Sequence, residues 1–226
     1  MQQMEAVTAD VRMGSRSASA IVADGIRGEI LHHKLKGGDR LRQDAWATRF
    51  GVSQMVVREA FKQLVAEGFL RIEPRRGVSV ATMSAEEAWE MTQLRSLVEC
   101  QALRWAIPQI TRADLDRAAK VLTQLDKAKT VDRKIALNAE FHELLYLPSR
   151  KERTLGIIAT LRVNFERYLR YTWEETHHFD QSQREHREIL ELVRNGAIEA
   201  AAGLLSKHII ATGELLVKSL EADDEV

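Results

Sequence analysis

The sequence predicts a mainly α protein of two parts: a small N-terminal part of three helices and a hairpin, then an all-α bundle of about six helices. Three observations carry that prediction. Apolar residues recur at helical spacing along most of the 226 residues. One stretch, 69–83, instead alternates and is rich in β-branched residues, the period of a strand. From Ser84 onward the helical period returns and is broken only by short turn signals.

Taken in order, residues 1–17, running into "MGSRSAS", are polar and lack a sustained period, so they read as a flexible arm. From Ser19, Ile21, Val22, Ile26, Ile30 and Leu31 form an apolar stripe, which "KGGD" stops. "QDAWATRF" is a short helix turning Trp46, Ala47 and Phe50 inward and ending at Gly51. A third helix runs from an N-cap at Ser53 to Gly68, with Val57, Ala60, Phe61, Leu64 and Val65 inward. "FLRIEPRRGVSVATM" then reads as a two-stranded hairpin around Pro-Arg-Arg-Gly, Gly77 supplying the permissive backbone. That order is a winged helix-turn-helix, assigned to residues 18–83. The bundle, residues 84–226, is expected to place helices near 84–107, 111–128, 131–147, 151–175, 180–194 and 197–221, with joins at Pro108, Thr111, Thr130, Pro148 and Asn195-Gly196.

Composition narrows the class. A chain that is 45% hydrophobic and 29% charged has material for a real core. The single cysteine, Cys100, excludes a disulfide framework or multi-thiolate zinc site, and "LVECQAL" makes it a core residue. No uninterrupted apolar run approaches the ~20 residues of a membrane span, and the N-terminus lacks a secretory layout, so a cytoplasmic location is expected. The net charge of zero hides an asymmetry: residues 1–83 carry 13 Lys+Arg against 9 Asp+Glu, the remainder 20 against 24. A basic first third hints at an anionic partner.

Position makes the hint specific. In a helix-turn-helix, side chains near the N-terminus of the second motif helix reach base edges. Ser53 and Gln54 open that helix, and Gln54, Arg58 and Lys62 recur on the side opposite Val57, Phe61 and Leu64. Any amphipathic helix has a solvated polar face. Here Arg75, Arg76 and Gly77 form a hairpin tip able to meet phosphate or the minor groove, and Arg42 and Arg49 add charge on the preceding helix, so DNA binding is the better reading.

In the bundle, "ALNAEFHELLY" puts Asn138 and His142 on a stripe with Ile135 and Leu145, where apolar side chains belong. His186 precedes Ile189, Leu190 and Val193, and His208 lies with Leu204, Leu205, Thr212 and Leu215. One such histidine is ordinarily a hydrogen-bonded core residue. Three, with an amide one turn from the first, can hold a divalent ion. His177 and His178, in "ETHHFD", read as loop residues without a ligand role.

At these residues the sequence resembles a known family. "GGDRLRQDAWATRFGVSQMVVREAFKQLVAEGFLRIEPRRGVSVA" is similar to the N-terminal domain of GntR-family bacterial transcription regulators, most specifically in "GVSQMVVREAF". Gln54 stands where the family commonly has Arg, Met55-Val56 depart from its Thr-Pro, and Trp46 replaces a Leu. The C-terminal half resembles the FCD ligand-binding domain of the FadR subfamily, whose metal-binding members carry Asp-x-x-x-His and two later histidines. The corresponding residues are Asn138, His142, His186 in "EHREIL" and His208 in "LLSKHII". Asn for Asp removes an anionic oxygen and should weaken binding of a hard cation. The resemblance implies a divalent transition metal, zinc or nickel first, and a small organic acid or metabolite as effector. Arg95, in "LRSLVE", and Arg162, in "ATLRVNF", are the candidate effector-binding arginines.

The expected function is a homodimeric, ligand-responsive DNA-binding regulator reading a pseudo-palindromic operator. A metal sensor is the first alternative. A metal-dependent enzyme is the last, because Glu140 and Glu143 flank His142 off its stripe and no nucleophile motif is present.

Overall fold

The computed structural model describes residues 17–32, 34–73, 75–175 and 178–224. The chain divides into two compact units, with the boundary between Thr82 and Met83. The expected arm lies outside the described residues except for Ser17, whose side chain accepts from the Ala20 amide and caps the first helix.

The first unit holds α1 (Ala18–Leu31), β1 (Arg40–Leu41), α2 (Gln43–Phe50), α3 (Gln54–Ala66), β2 (Leu70–Glu73) and β3 (Gly77–Val80). Gly51 ends α2 in the left-handed conformation, and the Ser53 side chain caps α3 by accepting from the Val56 amide. The wing is a three-stranded antiparallel sheet in the order β1-β3-β2, not the two-stranded hairpin expected. Arg40 pairs with Ser79 and Leu41 with Val78. A strand of two residues is too short to show alternation, so only the turn beside it was visible in the sequence. The core gathers Val22, Ile26, Ile30, Val57, Phe61, Leu64, Phe69, Leu70 and Val80. Ile21, expected inside, is 54% exposed, and Ala23 is buried instead. Neighbouring helix positions differ by about 100°, which puts Ile21 on the flank once Val22 and Ile26 face inward. Leu31, Phe50 and Val65, also expected inside, are half-buried.

The second unit holds six long helices among the described residues: α4 (Ala85–Ala106), α5 (Arg112–Lys127), α6 (Val131–Tyr146), α7 (Glu152–Glu175), α8 (His178–Arg194) and α9 (Ile198–Asp224). Ser84 with Glu87 and Thr111 with Asp114 form capping boxes that fix where α4 and α5 begin, and Thr130 caps α6. Pro108 and Pro148 lie in single 3-10 turns that close α4 and α6. One continuous core includes Leu103, Leu122, Leu125, Leu137, Phe141, Leu145, Ile189 and Leu205.

The close pairing of α4 with α9 depends on Gly213. A Cβ there would lie 2.2 Å from Thr92 Cγ2, so only glycine allows the two helices this approach. The sequence was expected to hold no span-like run, yet α9 over Ile198–Ala222 is long and apolar enough to cross a membrane by length and composition. Its apolarity is that of a central helix, because Ala201, Ala202, Leu205, Ile209 and Leu216 are buried in the bundle.

Candidate effector site and nucleic-acid interface

In the first unit, α3 turns Val57, Ala60, Phe61 and Leu64 into the core, which leaves Gln54, Arg58 and Lys62 exposed together. Lys62 Nζ is 2.8 Å from Glu59 Oε1, both exposed. At the wing, Glu73 pairs with Gly77 and the Arg76 amide donates to the Glu73 carbonyl. This tight turn takes positive φ at Arg75 (65°) and Gly77 (92°), and Arg75 and Arg76 are exposed. Gln54, Arg42, Arg76 and Gly77 line one shared groove. Among the described residues Arg58, Arg75 and Arg76 have no ion-pair partner, which leaves their charge available.

Arg42 is the N-cap residue of α2 and not within the helix, and its guanidinium is 2.7 Å from Asp44. Arg49 pairs with Glu29 of α1 and lies 4.7 Å over the Trp46 ring. Met55, which the sequence reading passed over as a departure, is 64% exposed in the first turn of α3. An exposed apolar side chain beside Gln54 was the signal that could have found it.

In the second unit, α6, α8 and α9 bring His142, His186 and His208 together, all buried. Ring centroids are 5.0 Å apart for His142–His186, 5.5 Å for His142–His208 and 4.7 Å for His186–His208. One nitrogen from each lies within 4.8 Å of the others.

The remaining nitrogens define the tautomers. His186 Nδ1 is 2.8 Å from Gln183 Oε1, and Gln183 Nε2 donates to Asp126 Oδ1 at 2.8 Å, so the amide can only accept from the ring. His208 Nδ1 is 2.7 Å from Glu185 Oε2. His142 Nδ1 is 3.2 Å from the Tyr146 hydroxyl, which itself donates to Glu99 Oε2 at 2.8 Å and so accepts from the ring. Every Nδ1 can therefore donate to a group behind it, which leaves Nε2 as the ring atom able to take a ligand.

Burial first, then the nearby cation Arg162 and the neighbouring imidazoles, holds His142 well below the ordinary imidazole value. His186 is lowered in the same direction, burial again leading and His208 next. Glu99 is fully buried, which opposes ionisation, but Arg95 and Arg162 outweigh burial and keep its carboxyl below the usual range. Tyr146 is pushed well above the usual phenol value by burial and then by Glu99, so it stays a donor.

Arg95 Nε donates to Glu99 Oε1 at 2.8 Å, and its guanidinium lies 4.5 Å over Phe165. Arg162 is 3.9 Å from Glu99 and donates to the Asn138 carbonyl at 3.4 Å. Asn138, His142, His208, Arg95, Arg162 and Phe165 line a cavity of about 40 Å³, room for a few waters. Asn138 Oδ1 and His186 Nε2 are buried without a hydrogen-bond partner among the described residues. Buried polar atoms left so are rare, and one of them belongs to the histidine trio itself, a donor set that fits a cation of the kind nitrogen ligands favour.

Several of these residues were not legible beforehand. Glu99, Tyr146, Gln183 and Glu185 were missed, although His142–Tyr146, Arg95–Glu99 and Gln183–His186 each stand at helical i,i+3 or i,i+4 spacing. Two expectations are corrected. His178 is not a solvated loop residue: it begins α8, is half-buried, and its Nε2 has no partner among the described residues, while His177 lies outside them. A carboxylate does stand beside the histidines, but it is Glu185 on α8 and not Glu140 or Glu143. Cys100 is buried with its Sγ on the Ala202 carbonyl, and burial pushes its thiol up to about 11, so it is no ligand.

A winged helix-turn-helix unit followed by a helical unit with a small buried polar cavity is the layout of a DNA-binding transcription regulator with a ligand-binding domain. The chain belongs to the GntR family of bacterial regulatory proteins, residues 18–80 matching the family's N-terminal domain and residues 90–211 the FCD domain. It is 31% identical over 188 residues to the HTH-type transcriptional regulator YdhC of Bacillus subtilis, covering 80% of this chain and 81% of that one. It is 25% identical over 187 residues to the transcriptional repressor RspR of Escherichia coli, covering 81% and 82%. Its fold is similar to that of E. coli McbR/YncC, with a TM-score of 0.77 at 21% identity over 91% of this chain and 99% of the other.

Proposed function

We propose that this regulator binds a pseudo-palindromic operator as a homodimer in the cytoplasm and changes its operator affinity when a small carboxylate meets a metal ion in the bundle. The observation that carries the reading is the gathering of one nitrogen each from His142, His186 and His208 within 4.8 Å, beside a cavity that His142, His208, Asn138, Arg95 and Arg162 line and with Asn138 Oδ1 unpartnered among the described residues. His142, His186, His208 and Asn138 hold the ion, with zinc or nickel favoured by the nitrogen-rich set. When bound, the metal supplies a Lewis-acidic point that a carboxylate oxygen can occupy. Arg95 and Arg162 orient the anion, and Phe165 and Ile209 form its apolar wall.

On DNA, Gln54 and Arg58 read base edges in the major groove, with Ser53 and Lys62 on the backbone. Met55 offers an apolar contact for a thymine methyl. Arg75, Arg76 and Gly77 take the wing contact; Arg42 exchanges the exposed Asp44 carboxylate for a phosphate, a cheap exchange at the surface, and Arg49 leaves the half-buried Glu29 to do the same.

A metal sensor is a second reading, favoured by the small volume of the cavity, about 40 Å³. An enzyme is disfavoured because Glu185 is held by His208 and Gln181, which among the described residues leaves no carboxylate base lining the cavity.

The test is metal analysis by mass spectrometry on untagged, chelator-free protein and its His142→Ala variant, with binding to the DNA upstream of its own gene followed by fluorescence anisotropy. One transition-metal ion per chain, lost in the variant, and operator release by metal plus carboxylate are expected. Release by metal alone would favour the sensor reading, and absence of metal from the wild-type protein rules out both.

A further inference from the structure

Each imidazole of the cluster is linked through its Nδ1 to a carboxylate. His208 meets Glu185 directly, at 2.7 Å. His142 meets Glu99 through the Tyr146 hydroxyl. His186 meets Asp126 through the side-chain amide of Gln183, with 2.8 Å at each step. Glu99 is fully buried and Glu185 half-buried, whereas the side chain of Asp126, near the end of α5, is 38% exposed.

The amide differs from the other two links. A carboxylate only accepts, and a phenol that donates to a carboxylate has only lone pairs left for the ring. A primary amide has an accepting end and a donating end, and either can be presented to a histidine. Turned over, Gln183 would donate to His186 Nδ1, and the ring's own proton would sit on Nε2, the atom a ligand needs. That inverted state is a real competitor. A proton on Nε2 would find acceptors among the neighbouring imidazoles, one nitrogen of each ring lying within 4.8 Å of the others.

Asp126 opposes the inversion. Its Oδ1 accepts from Gln183 Nε2 and, at 2.7 Å, from Arg187. An inverted amide would set the Gln183 oxygen against that carboxylate, two acceptors with no proton between them, at a side chain only 4% exposed. Arg187 does not decide the orientation, because the carboxylate accepts from the amide whether or not the exposed ion pair is made.

We infer that Asp126, a surface residue one amide removed from the ring, is the positioning residue for His186: its carboxylate fixes the Gln183 amide, which keeps the ring proton on Nδ1 and Nε2 free for an ion. The use of that nitrogen by a metal rests on the reading proposed above; the place of the proton does not.

The test reads the proton directly. The full chain is labelled with 15N in its histidines, stripped with a chelator and held at pH 7.5, where burial keeps His186 neutral. Ring nitrogens are correlated with ring protons by NMR, and the signals lost in His186→Gln assign the residue. Zinc affinity is measured in parallel by competition with a chromophoric chelator. The wild-type chain should carry the His186 proton on Nδ1. In Asp126→Asn the side chain at 126 donates as well as accepts, so the ring shifts should move toward the Nε2–H form and zinc affinity should fall on the order of tenfold. Arg187→Ala should leave both readings unchanged. Asp126→Asn combined with Gln183→Glu puts a group that only accepts beside the ring, and should return the proton to Nδ1 and restore zinc binding.

A wild-type His186 with its proton on Nε2 would overturn the inference, whether or not any variant folds. So would an Asp126→Asn spectrum like that of the wild type. The same change in Arg187→Ala as in Asp126→Asn would also overturn it, by making the bridge between α5 and α8 responsible instead of the carboxylate. The expected proton positions in a chain that binds no zinc would overturn the metal reading and leave the assignment of Asp126 standing.

Discussion

At the scale of single residues, the site is built from what stands behind each imidazole. Tyr146 satisfies His142 Nδ1 and donates to Glu99, so Tyr146→Phe strands a buried N–H and removes a donor from a buried carboxylate. That change should destabilise the metal-free protein by about 1–3 kcal/mol in urea unfolding. It should also weaken metal binding by roughly 10–100-fold, as loss of an outer-shell partner does. The lowered values of His142 and His186 set a pH dependence. Below the ordinary imidazole value of 6.5 the unfolded chain takes protons that the folded chain refuses, so stability is full above that pH and falls as pH drops through it. Each histidine contributes a slope of up to ~1.4 kcal/mol per pH unit in that window. Urea unfolding of metal-free protein at pH 7.5, 6.5 and 5.5 should show the decline, and His186→Gln should make it shallower. The three histidines were legible because each interrupts an apolar stripe. Their partners were not singled out, since Tyr146 and Gln183 look like ordinary helix residues until Glu99 and Asp126 arrive from other helices.

At the scale of elements, helix limits were well marked because the caps are chemical. Ser84-x-x-Glu87 and Thr111-x-x-Asp114 each satisfy two orphan amide donors, and the structure begins α4 and α5 directly after them. Two features escaped for lack of any local signal: β1 is too short to alternate, and α8 begins two residues earlier than its apolar stripe implies. The pairing of α4 with α9 was also invisible, since Gly213 looks like a mere weak point in a helix. Its Cβ position is occupied by Thr92, so Gly213→Ala should cost about 1–3 kcal/mol by overpacking, despite alanine's better helix propensity. Because α4 carries Arg95 and α9 carries His208, the same variant should weaken metal binding, measured by competition, while the circular dichroism of the helices is kept.

At the scale of the molecule, the basic bias of residues 1–83 belongs to the unit that carries α3 and the wing, and the acidic balance to the bundle. Operator binding should therefore fall steeply with salt. In a dimer, Arg75→Ala removes a phosphate contact from each half, so the slope of log affinity against log salt should become shallower by about 2. An unchanged slope, measured by anisotropy across a salt series, would take Arg75 off the DNA. The division into two units and their fold classes were legible from the change of period at 69–83. How five helices converge on one cavity was not, because that arrangement is set by long-range packing.

One atom of Asn138 has a consequence for how such a site changes over generations. Asparagine and aspartate codons differ by a single transition in the first base. The same fold is thus one point mutation from carrying its own negative ligand, with no loss of volume and no new backbone.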